Sequence, residues 1–394
     1  MCAMTRRLYH EDATLRRFTG EVVAHALVQN APAVILDRTA FYPEAGGQLG
    51  DHGTLNGVAI VDTQELDDGR IAHVLATDSA LPAVGTEVDG EIEWLRRRQH
   101  MAQHTAQHLL SGALLDRAQA PTVSARLGES ALTLDVSRDR VPEAELAAAE
   151  DLANDLVDDD LAIRQWFPDA GELASIKLRR DPKVTADIRV VSIGDFDFSP
   201  CGGTHVARTS QIGAVRITGV ERYKGMTRVT FTAARRGRNE LFAREGVVRQ
   251  LATMYSCAPM DVPAALEKAK KAGDATTAEL TAIRGKLAQV MADSLLAPGA
   301  NPIVAALGVD VEVLRAIAAK VAHAGRDAII CAPDESGAAV VLFRAPGSTL
   351  DCGALWKKLA AARGGRGGGK AERAEGRLQS PVLEWSNLVI EAQS

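Results

Sequence analysis

Short apolar runs separated by glycine dominate the chain up to residue 93. Apolar stretches occur at 22–23 and 33–36, and residues 57–62 and 88–92 add two further candidate strands. Short strands joined by frequent glycine turns are typical of small barrels. The pattern therefore predicts an N-terminal β-barrel domain at residues 1–93.

A helical pattern begins at residue 94. Residues 94–117 are rich in Ala, Leu, Gln and Arg and contain no proline, and Pro121 marks the end of this helix. Residues 122–136 alternate like a strand, and 143–159 predict an acidic, alanine-rich helix. Further strands are predicted around 188–193, 214–217 and 227–232. This succession predicts an α+β domain at residues 94–237.

The remaining chain divides at a Pro- and Gly-containing run, residues 298–302. Before it, apolar residues from Leu280 to Leu295 recur every three to five positions, which predicts a helical hairpin or coiled coil at 238–299. After it, two apolar strands, a helix and a glycine-rich stretch predict a C-terminal α/β glycine-rich domain at 300–394. We expect an α+β fold overall.

Length and composition narrow the class of protein. A chain of 394 residues is too long for one compact core. The net charge of -6 does not mark a nucleic-acid-binding protein, but basic residues concentrate between 216 and 238. Five scattered cysteines fit a reducing compartment, and no run of 18 apolar residues suggests a membrane span. We expect a soluble cytoplasmic protein.

Two short motifs carry the chemistry. His104 and His108 lie four positions apart in the predicted helix, and Cys201 and His205 repeat that spacing after Pro200, where the glycines predict a turn that opens a helix. Imidazole and thiolate are preferred zinc ligands. A single His-x3-His is common, but together the motifs predict one Zn²⁺ site.

Other zinc chemistries fit less well. Position 105 is Thr, so the His-Glu-x-x-His motif of zinc proteases is absent, and no Cys-x-x-Cys occurs. Four protein ligands would complete a tetrahedron, as in a structural site. Catalysis would then require a fifth position or a ligand that leaves, and the sequence does not decide between these arrangements.

These motifs carry a family resemblance. Residues 104–111 and 201–205 resemble the editing domain of alanyl-tRNA synthetase, and still more the free-standing alanyl-tRNA editing proteins (the AlaX family, long form). Residues 42–51 resemble the family's barrel motif, and 122–129 its strand after the metal helix. The glycine-rich run at 364–370 resembles the synthetase's C-terminal domain.

The resemblance implies a zinc-dependent aminoacyl-tRNA deacylase. Such a hydrolase releases the wrong amino acid, chiefly serine and in some members glycine, from the acceptor end of tRNA(Ala). The family's four metal positions, which also serve catalysis, fall on His104, His108, Cys201 and His205. Ala234 and Lys370 depart from the family pattern, where Gly and Arg are usual.

Further site candidates follow from the substrate. A pocket that hydrogen-bonds the serine hydroxyl rejects alanine, because the polar group of the pocket would stay unpaired when alanine is bound. Thr122, which matches a hydroxyl-sensing Thr of the family, is the first candidate, followed by Ser124 and Thr105. Gln48 is expected to face the tRNA end or the editing domain, and Arg228 belongs to a basic stretch suited to acceptor-stem phosphates.

Several alternatives stay open. The protein could be a non-catalytic, zinc-containing tRNA-binding protein, or a deacylase of another tRNA, since threonyl-tRNA synthetase editing domains have similar ligand clusters. A homodimer could form through residues 238–299 or the C-terminal domain. The basic, glycine-rich segment 363–377 is either a further tRNA contact or a flexible loop.

Overall fold

A computed structural model describes residues 4–76, 80–182, 184–379 and 384–394. The chain separates into two compact units, Met1–Arg249 and Gln250–Ser394. The predicted mixed α+β class is confirmed, whereas the finer division into four domains stays a prediction. Across the described ranges, every helix is too short or too polar to cross a bilayer.

The first unit begins with a closed barrel, as the glycine-punctuated pattern predicts. Its strands pair in the order β2-β3-β7-β6-β5-β8, while β1 and β4 form a separate parallel pair. The elements are β1 (Arg6–Arg7), α1 (Leu8–Glu11), β2 (Arg17–Val28), β3 (Ala31–Leu36), β4 (Arg38–Thr39), β5 (Gly53–Leu55), β6 (Val58–Glu65), β7 (Ile71–Leu75) and β8 (Glu87–Ile92).

Alternate residues of the strands fill the barrel. Phe18 and Val22 of β2 are buried, as are Val88 and Ile92 of β8. Gly90 lies opposite Phe18, and a Cβ there would lie 2.3 Å from the Phe18 ring. A glycine is therefore required at this position for the ring to fit.

The rest of the first unit surrounds one long helix. A four-stranded sheet has the order β14-β15-β10-β9, and a three-stranded sheet has the order β11-β12-β13. The elements are α2 (Trp94–Ala118), β9 (Thr122–Leu127), β10 (Leu132–Val136), α3 (Glu143–Asp158), β11 (Ile163–Trp166), α4 (Ala170–Ser175), β12 (Val190–Ile193), β13 (Asp197–Pro200), a 3₁₀ turn (Thr209–Ile212), β14 (Val215–Tyr223), β15 (Met226–Ala233) and α5 (Ala234–Met254). The first unit ends within α5, at Arg249.

The core of this region lies between α2 and the four-stranded sheet. Leu109 and Leu110 of α2 are fully buried in one cluster with Leu134 of β10 and Phe231 of β15. Burial of each such side chain contributes about 1.5–3 kcal/mol. The single strand predicted at 122–136 is instead the hairpin β9–β10, because residues 128–131 turn the chain.

A buried ion pair ties α2 to the barrel. The Arg97 Nε donates to both carboxylate oxygens of Asp51, at 3.0 and 2.8 Å, and both side chains are inaccessible to solvent. Arg97 also donates to the carbonyl oxygens of Ala13 and Ala40, while Asp51 accepts from the Tyr42 N–H. Asp51 of the barrel motif therefore fixes the helix that carries His104.

The second unit holds a five-stranded sheet in the order β16-β17-β18-β20-β19. Its helices pack on that sheet through two apolar clusters. The elements are a 3₁₀ turn (Pro259–Asp261), α6 (Val262–Leu295), β16 (Ile303–Ala306), α7 (Val311–His323), β17 (Ala328–Asp334), β18 (Gly337–Phe343), α8 (Cys352–Arg363), β19 (Gly365–Gly369), β20 (Arg373–Leu378) and α9 (Trp385–Gln393).

The glycine-rich segment is an ordered strand and not the flexible loop that its composition also allowed. β19 pairs with β20 along its whole length. A Cβ at Gly376 would lie 2.2 Å from the Trp356 ring, and one at Gly367 would lie 2.4 Å from the Glu375 carbonyl oxygen. The glycines therefore allow α8 and the neighbouring strand to approach closely.

Candidate metal centre

The two motifs meet in one cluster in the first unit. His104 and His108 lie one turn apart on α2, and Cys201 and His205 lie on the loop after β13. Their candidate ligand atoms all lie within 4.8 Å of one another. The three histidines are buried and the cysteine is half-buried. The helix expected after Cys201 is wrong, because the segment is a loop that precedes the 3₁₀ turn.

The spacing of the donor atoms fits a tetrahedral zinc ion. The Cys201 Sγ lies 3.5 Å from the Nε2 of His104 and 3.5 Å from the Nε2 of His205. Zinc bonds of about 2.0–2.1 Å to nitrogen and 2.3 Å to sulfur place tetrahedral N and S ligands about 3.5 Å apart. The donor set therefore fits a zinc ion in both chemistry and size.

Gln48 of the barrel orients the His104 ring. The His104 Nδ1–H donates to the Gln48 Oε1 at 2.7 Å, which leaves its Nε2 free toward Cys201. The Gln48 amide is itself held by Thr204, whose N–H donates to Oε1 and whose hydroxyl accepts from Nε2. Gln48 is fully buried, so these contacts are those of an orienting group.

Thr105 performs the same task for His205. Its hydroxyl donates to the Met101 carbonyl oxygen at 2.9 Å and lies 3.1 Å from the His205 Nδ1. It also accepts from the Val206 N–H. A hydroxyl that donates to Met101 can accept from the His205 Nδ1–H, which leaves the His205 Nε2 as the free nitrogen.

Asp197 faces the third ring. Its carboxylate lies 3.6 Å from the His108 Nδ1 and is anchored by Arg179 at 2.6 Å and by the Ser199 hydroxyl at 2.9 Å. Burial alone would raise the pKa of Asp197, but His108 and Arg179 lower it to about 2. The Nδ1 of each histidine therefore faces an oxygen, as at established metal sites, but that of His108 makes no hydrogen bond within the described residues.

The Cys201 loop leaves no space beside His104. A Cβ at Gly203 would lie 2.2 Å from the His104 ring, whereas one at Gly202 would meet nothing within 4 Å. The Arg189 guanidinium donates to the carbonyl oxygens of Cys201 and Gly203. Close approach therefore explains the glycine at position 203 but not the one at 202.

The cluster shifts Cys201 and His205 toward the protonation states that bind metal. Burial alone would lower the pKa of His108, but Cys201 and Asp197 raise it. Burial alone would raise the pKa of the Cys201 thiol, but His104 and His108 hold that pKa well below its usual value. Burial, followed by the charge of His104, lowers the pKa of His205 to about 3. A thiolate and neutral imidazoles are the forms that coordinate zinc.

Thr122 belongs to a polar chain beside the cluster. Its hydroxyl lies 2.9 Å from the Ser111 Oγ, which also accepts from the Gln107 amide at 2.9 Å. Ser111 and Gln107 are buried on α2, and Gln107 directly precedes His108, whereas Thr122 is half-buried. The structure thus places Thr122 close to the metal helix.

Ser124 and Arg228 come together elsewhere on the sheet. The Ser124 hydroxyl donates to Asp135 at 2.7 Å, and the Arg228 guanidinium makes two bonds to the same carboxylate, at 2.7 and 2.9 Å. Arg228 also stacks on the Tyr223 ring. None of the contacts recorded in the described ranges joins either residue to the four-residue cluster.

Sequence analysis assigned no role to three supporting residues. Ser111 lies within the motif at 104–111, whereas Asp197 and Arg189 act through contacts that depend on the fold, with His108 and with the Cys201 loop. An acidic residue four positions before Cys201 was a weak hint, since metal-bound histidines usually donate to a second acceptor. The side chain that accepts could be assigned only once the register of β12 and β13 was known.

Two family models match parts of the chain, and neither match includes His104 or His108. A family model described as "Threonyl and Alanyl tRNA synthetase second additional domain" matches residues 188–230, which include Cys201 and His205. A second, described as "tRNA synthetases class II (A)", matches residues 8–96, which include the barrel and Gln48.

Individual relatives extend this similarity over most of the chain. The alanine–tRNA ligase of Thermococcus kodakarensis is 31% identical, over 96% of this chain and 42% of the ligase. The alanyl-tRNA editing protein AlaX-L of Pyrococcus horikoshii is 33% identical, over 59% of each protein. The chain therefore spans only about two fifths of that ligase and three fifths of that editing protein. The resemblance predicted from the motifs is confirmed, and the chain is a homologue of archaeal alanine–tRNA ligases and of the alanyl-tRNA editing protein AlaX-L.

Proposed function

We propose that this protein is a zinc-dependent deacylase that hydrolyses mischarged tRNA(Ala) in the cytoplasm. Its chief substrate is Ser-tRNA(Ala), with Gly-tRNA(Ala) as a second. The observation that carries the proposal is the cluster of His104, His108, Cys201 and His205, whose donor spacing suits zinc. The similarity to an alanyl-tRNA editing protein supports the choice of substrate.

The chain's own residues would prepare the reaction. A zinc ion bound by the four side chains supplies Lewis-acid chemistry, either on the ester carbonyl or on a water. Gln48, Thr105 and Asp197 keep the three imidazoles aimed at one point. Burial of the cluster excludes bulk water, which strengthens each electrostatic contact with the ester.

Thr122 is proposed to select serine. Its hydroxyl can hydrogen-bond the serine hydroxyl, whereas alanine would leave it unpaired, and sites of this kind discriminate by up to roughly 10⁴-fold. Ser124 fits this role less well, because its hydroxyl already donates to Asp135. Arg228, expected to hold acceptor-stem phosphates, is paired with the same carboxylate.

A deacylation panel tests the proposed function. Zinc-loaded protein should release serine from Ser-tRNA(Ala) and leave Ala-tRNA(Ala) intact, and a Cys201→Ala variant should lose both zinc and activity. Ser-tRNA(Ser) and Thr-tRNA(Thr) complete the panel and test the alternative that another tRNA is the substrate. Equal rates on Ser-tRNA(Ala) and Ala-tRNA(Ala) would exclude an editing role.

One observation favours a second candidate function. Four protein ligands complete a tetrahedral shell, as in structural zinc sites. The protein would then be a non-catalytic, zinc-containing tRNA-binding protein. In that case the zinc-loaded protein binds tRNA in the same panel but releases no amino acid from any substrate.

The second unit is proposed to contribute RNA contacts and assembly. Arg363, Arg366 and Lys370 are exposed around the glycine-rich strand β19 and suit phosphates, whereas Arg377 is paired with Asp334. An exposed apolar stripe on α6 supports a homodimer; it consists of Leu280, Ile283, Leu287 and Val290. The domain boundaries at 93, 237 and 299 belong to the same proposal.

A further inference from the structure

A cavity opens beside α2, the helix that carries His104 and His108, and none of the four candidate metal ligands lines it. It has a volume of about 300 Å³ and lies between α2, the β9–β10 turn and the start of α5. From α2 it is lined by Arg96, His100 and Gln103, and from α5 by Arg235. Since His100 and His104 are four residues apart, the cavity lies one helical turn from the first metal ligand.

Two of the side chains that line this cavity each carry a buried polar atom without a partner. The His100 Nδ1 and the Gln103 Nε2 make no hydrogen bond, although the two residues are only 7% and 3% exposed. Leaving a buried polar group unpaired costs about 1–3 kcal/mol. Such a cost is normally avoided, so the two atoms indicate a site that a ligand completes.

The protonation of His100 defines what the ligand must offer. Burial and the nearby Arg96 lower the pKa of His100 to about 3, so the ring is neutral. One nitrogen of a neutral imidazole accepts a hydrogen bond, and the unpartnered Nδ1 can take that role. Gln103 provides an amide donor beside it.

The rim of the cavity suits a phosphate. Arg235 is exposed, and none of the ion pairs recorded in the described ranges involves it. Arg96 faces Glu129 at 3.4 Å, a weak pair that a phosphate could replace. Arg236 is already occupied by Glu240 and by backbone carbonyls of the β9–β10 turn. The free positive charge therefore lies on Arg235.

We propose that this cavity binds an unpaired nucleobase of the tRNA acceptor end, with Gln103 and His100 pairing to its edge and Arg235 holding the adjoining phosphate. The inference rests on the proposed function and specifies how that substrate is positioned. Adenine and cytosine each carry an amino donor beside a ring-nitrogen acceptor, which matches the acceptor of His100 and the donor of Gln103. Single-stranded ends are the RNA elements whose base edges are free to be read in this way.

The test is a double-mutant cycle that compares binding affinities and does not require catalysis. The zinc-loaded full chain is titrated with a minihelix of the tRNA(Ala) acceptor stem, with its 3′ overhang either intact or made abasic at one position at a time. Removing the bound base should weaken wild-type binding by roughly tenfold or more. The Gln103→Leu variant should bind the intact minihelix as weakly as the wild-type protein binds the abasic one. Its affinity should not fall further when the same base is removed. A Gln64→Leu variant, on β6, should behave as wild type.

Other outcomes overturn the inference. The affinity loss from Gln103→Leu could instead be independent of the loss from each abasic position, so that the combined loss is the product of the two. In that case the cavity contacts no base. If the Gln103→Leu variant fails to bind zinc, the Arg235→Gln variant is used in its place, since Arg235 is exposed and its replacement should not affect folding. For this variant, the slope of the logarithm of minihelix affinity against the logarithm of salt concentration should fall by about one phosphate contact. An unchanged salt slope overturns the phosphate assignment. Absence of deacylation with the binding cycle intact would refute the proposed function and leave the base site standing.

Discussion

At the scale of single residues, the candidate metal centre depends on the side chains that face the outer nitrogen of each imidazole. The imidazoles of His104, His108 and His205 face Gln48, Asp197 and Thr105 through Nδ1. A ring that is held in this way loses little rotational freedom when it binds a metal, so the supporting contacts add to zinc affinity.

Replacement of Gln48 by Ala should weaken zinc binding by roughly 10–100-fold, because His104 loses the acceptor that fixes its ring. Zinc affinity can be measured by competition with a chromophoric chelator. Gln64→Ala, on the barrel strand β6, is the matched control and should leave the affinity unchanged. Equal affinities for the two variants would show that Gln48 has no orienting role.

Replacement of Thr122 by Val should reduce kcat/KM for Ser-tRNA(Ala) by roughly 10–100-fold, the cost of losing a hydrogen bond of about 1–3 kcal/mol. Zinc content should not change, because the Thr122 hydroxyl donates to Ser111, which is not one of the four candidate ligands. Thr218→Val, at an exposed position on β14, is the control. An unaltered rate for Thr122→Val would assign serine recognition to another group.

The sequence revealed the four candidate ligands and singled out Gln48 and Thr105, but for substrate contacts and not for orienting His104 and His205. His104, His108, Cys201 and His205 could be read because zinc ligands have few residue types and regular spacings. Asp197 has no such signature, since its contact with His108 follows from the register of β13.

At the scale of elements, the loop after β13 and the helix α2 must approach within van der Waals distance. The helix could be predicted from its uninterrupted composition, whereas the loop conformation depends on Arg189 and Gln48, which lie outside the motif. The β9–β10 turn was missed because its residues 128–131 interrupt an alternation that otherwise continues.

Gly203→Ala should sharply reduce zinc affinity, because its Cβ would lie 2.2 Å from the His104 ring and force the loop away. Gly202→Ala, the same substitution at the neighbouring residue, is the matched control, since a Cβ there would lie within 4 Å of no other atom. Both affinities can be measured by the same chelator competition. An equal loss in both variants would contradict the steric explanation.

Arg97→Met should destabilise the first unit by about 3–5 kcal/mol, because it leaves the buried Asp51 carboxylate without its partner. Urea denaturation followed by circular dichroism measures the change. Arg17→Met breaks an exposed pair with Glu91 on the same barrel and should cost less than about 1 kcal/mol. Similar losses for the two variants would show that the Arg97–Asp51 pair does not join helix and barrel.

At the scale of the whole molecule, all four candidate ligands and their supporting residues lie in the first of the two compact units. A fragment of residues 1–254 should therefore bind one zinc ion with the affinity of the full chain, while its affinity for tRNA falls because the exposed basic residues of the second unit are gone. Metal analysis and filter binding measure the two quantities. Loss of zinc from the fragment would show that the centre needs the second unit.

The distribution of the cluster along the chain has a consequence for synthesis on the ribosome. Gln48, His104 and Cys201 come from the barrel, the long helix and a late loop. A growing polypeptide therefore holds no complete set of the four donors until residue 205 has emerged. The contact of Gln48 with His104 also requires the barrel to be packed against α2. The metal-binding cluster would therefore be assembled only after the whole first unit has been synthesised and folded.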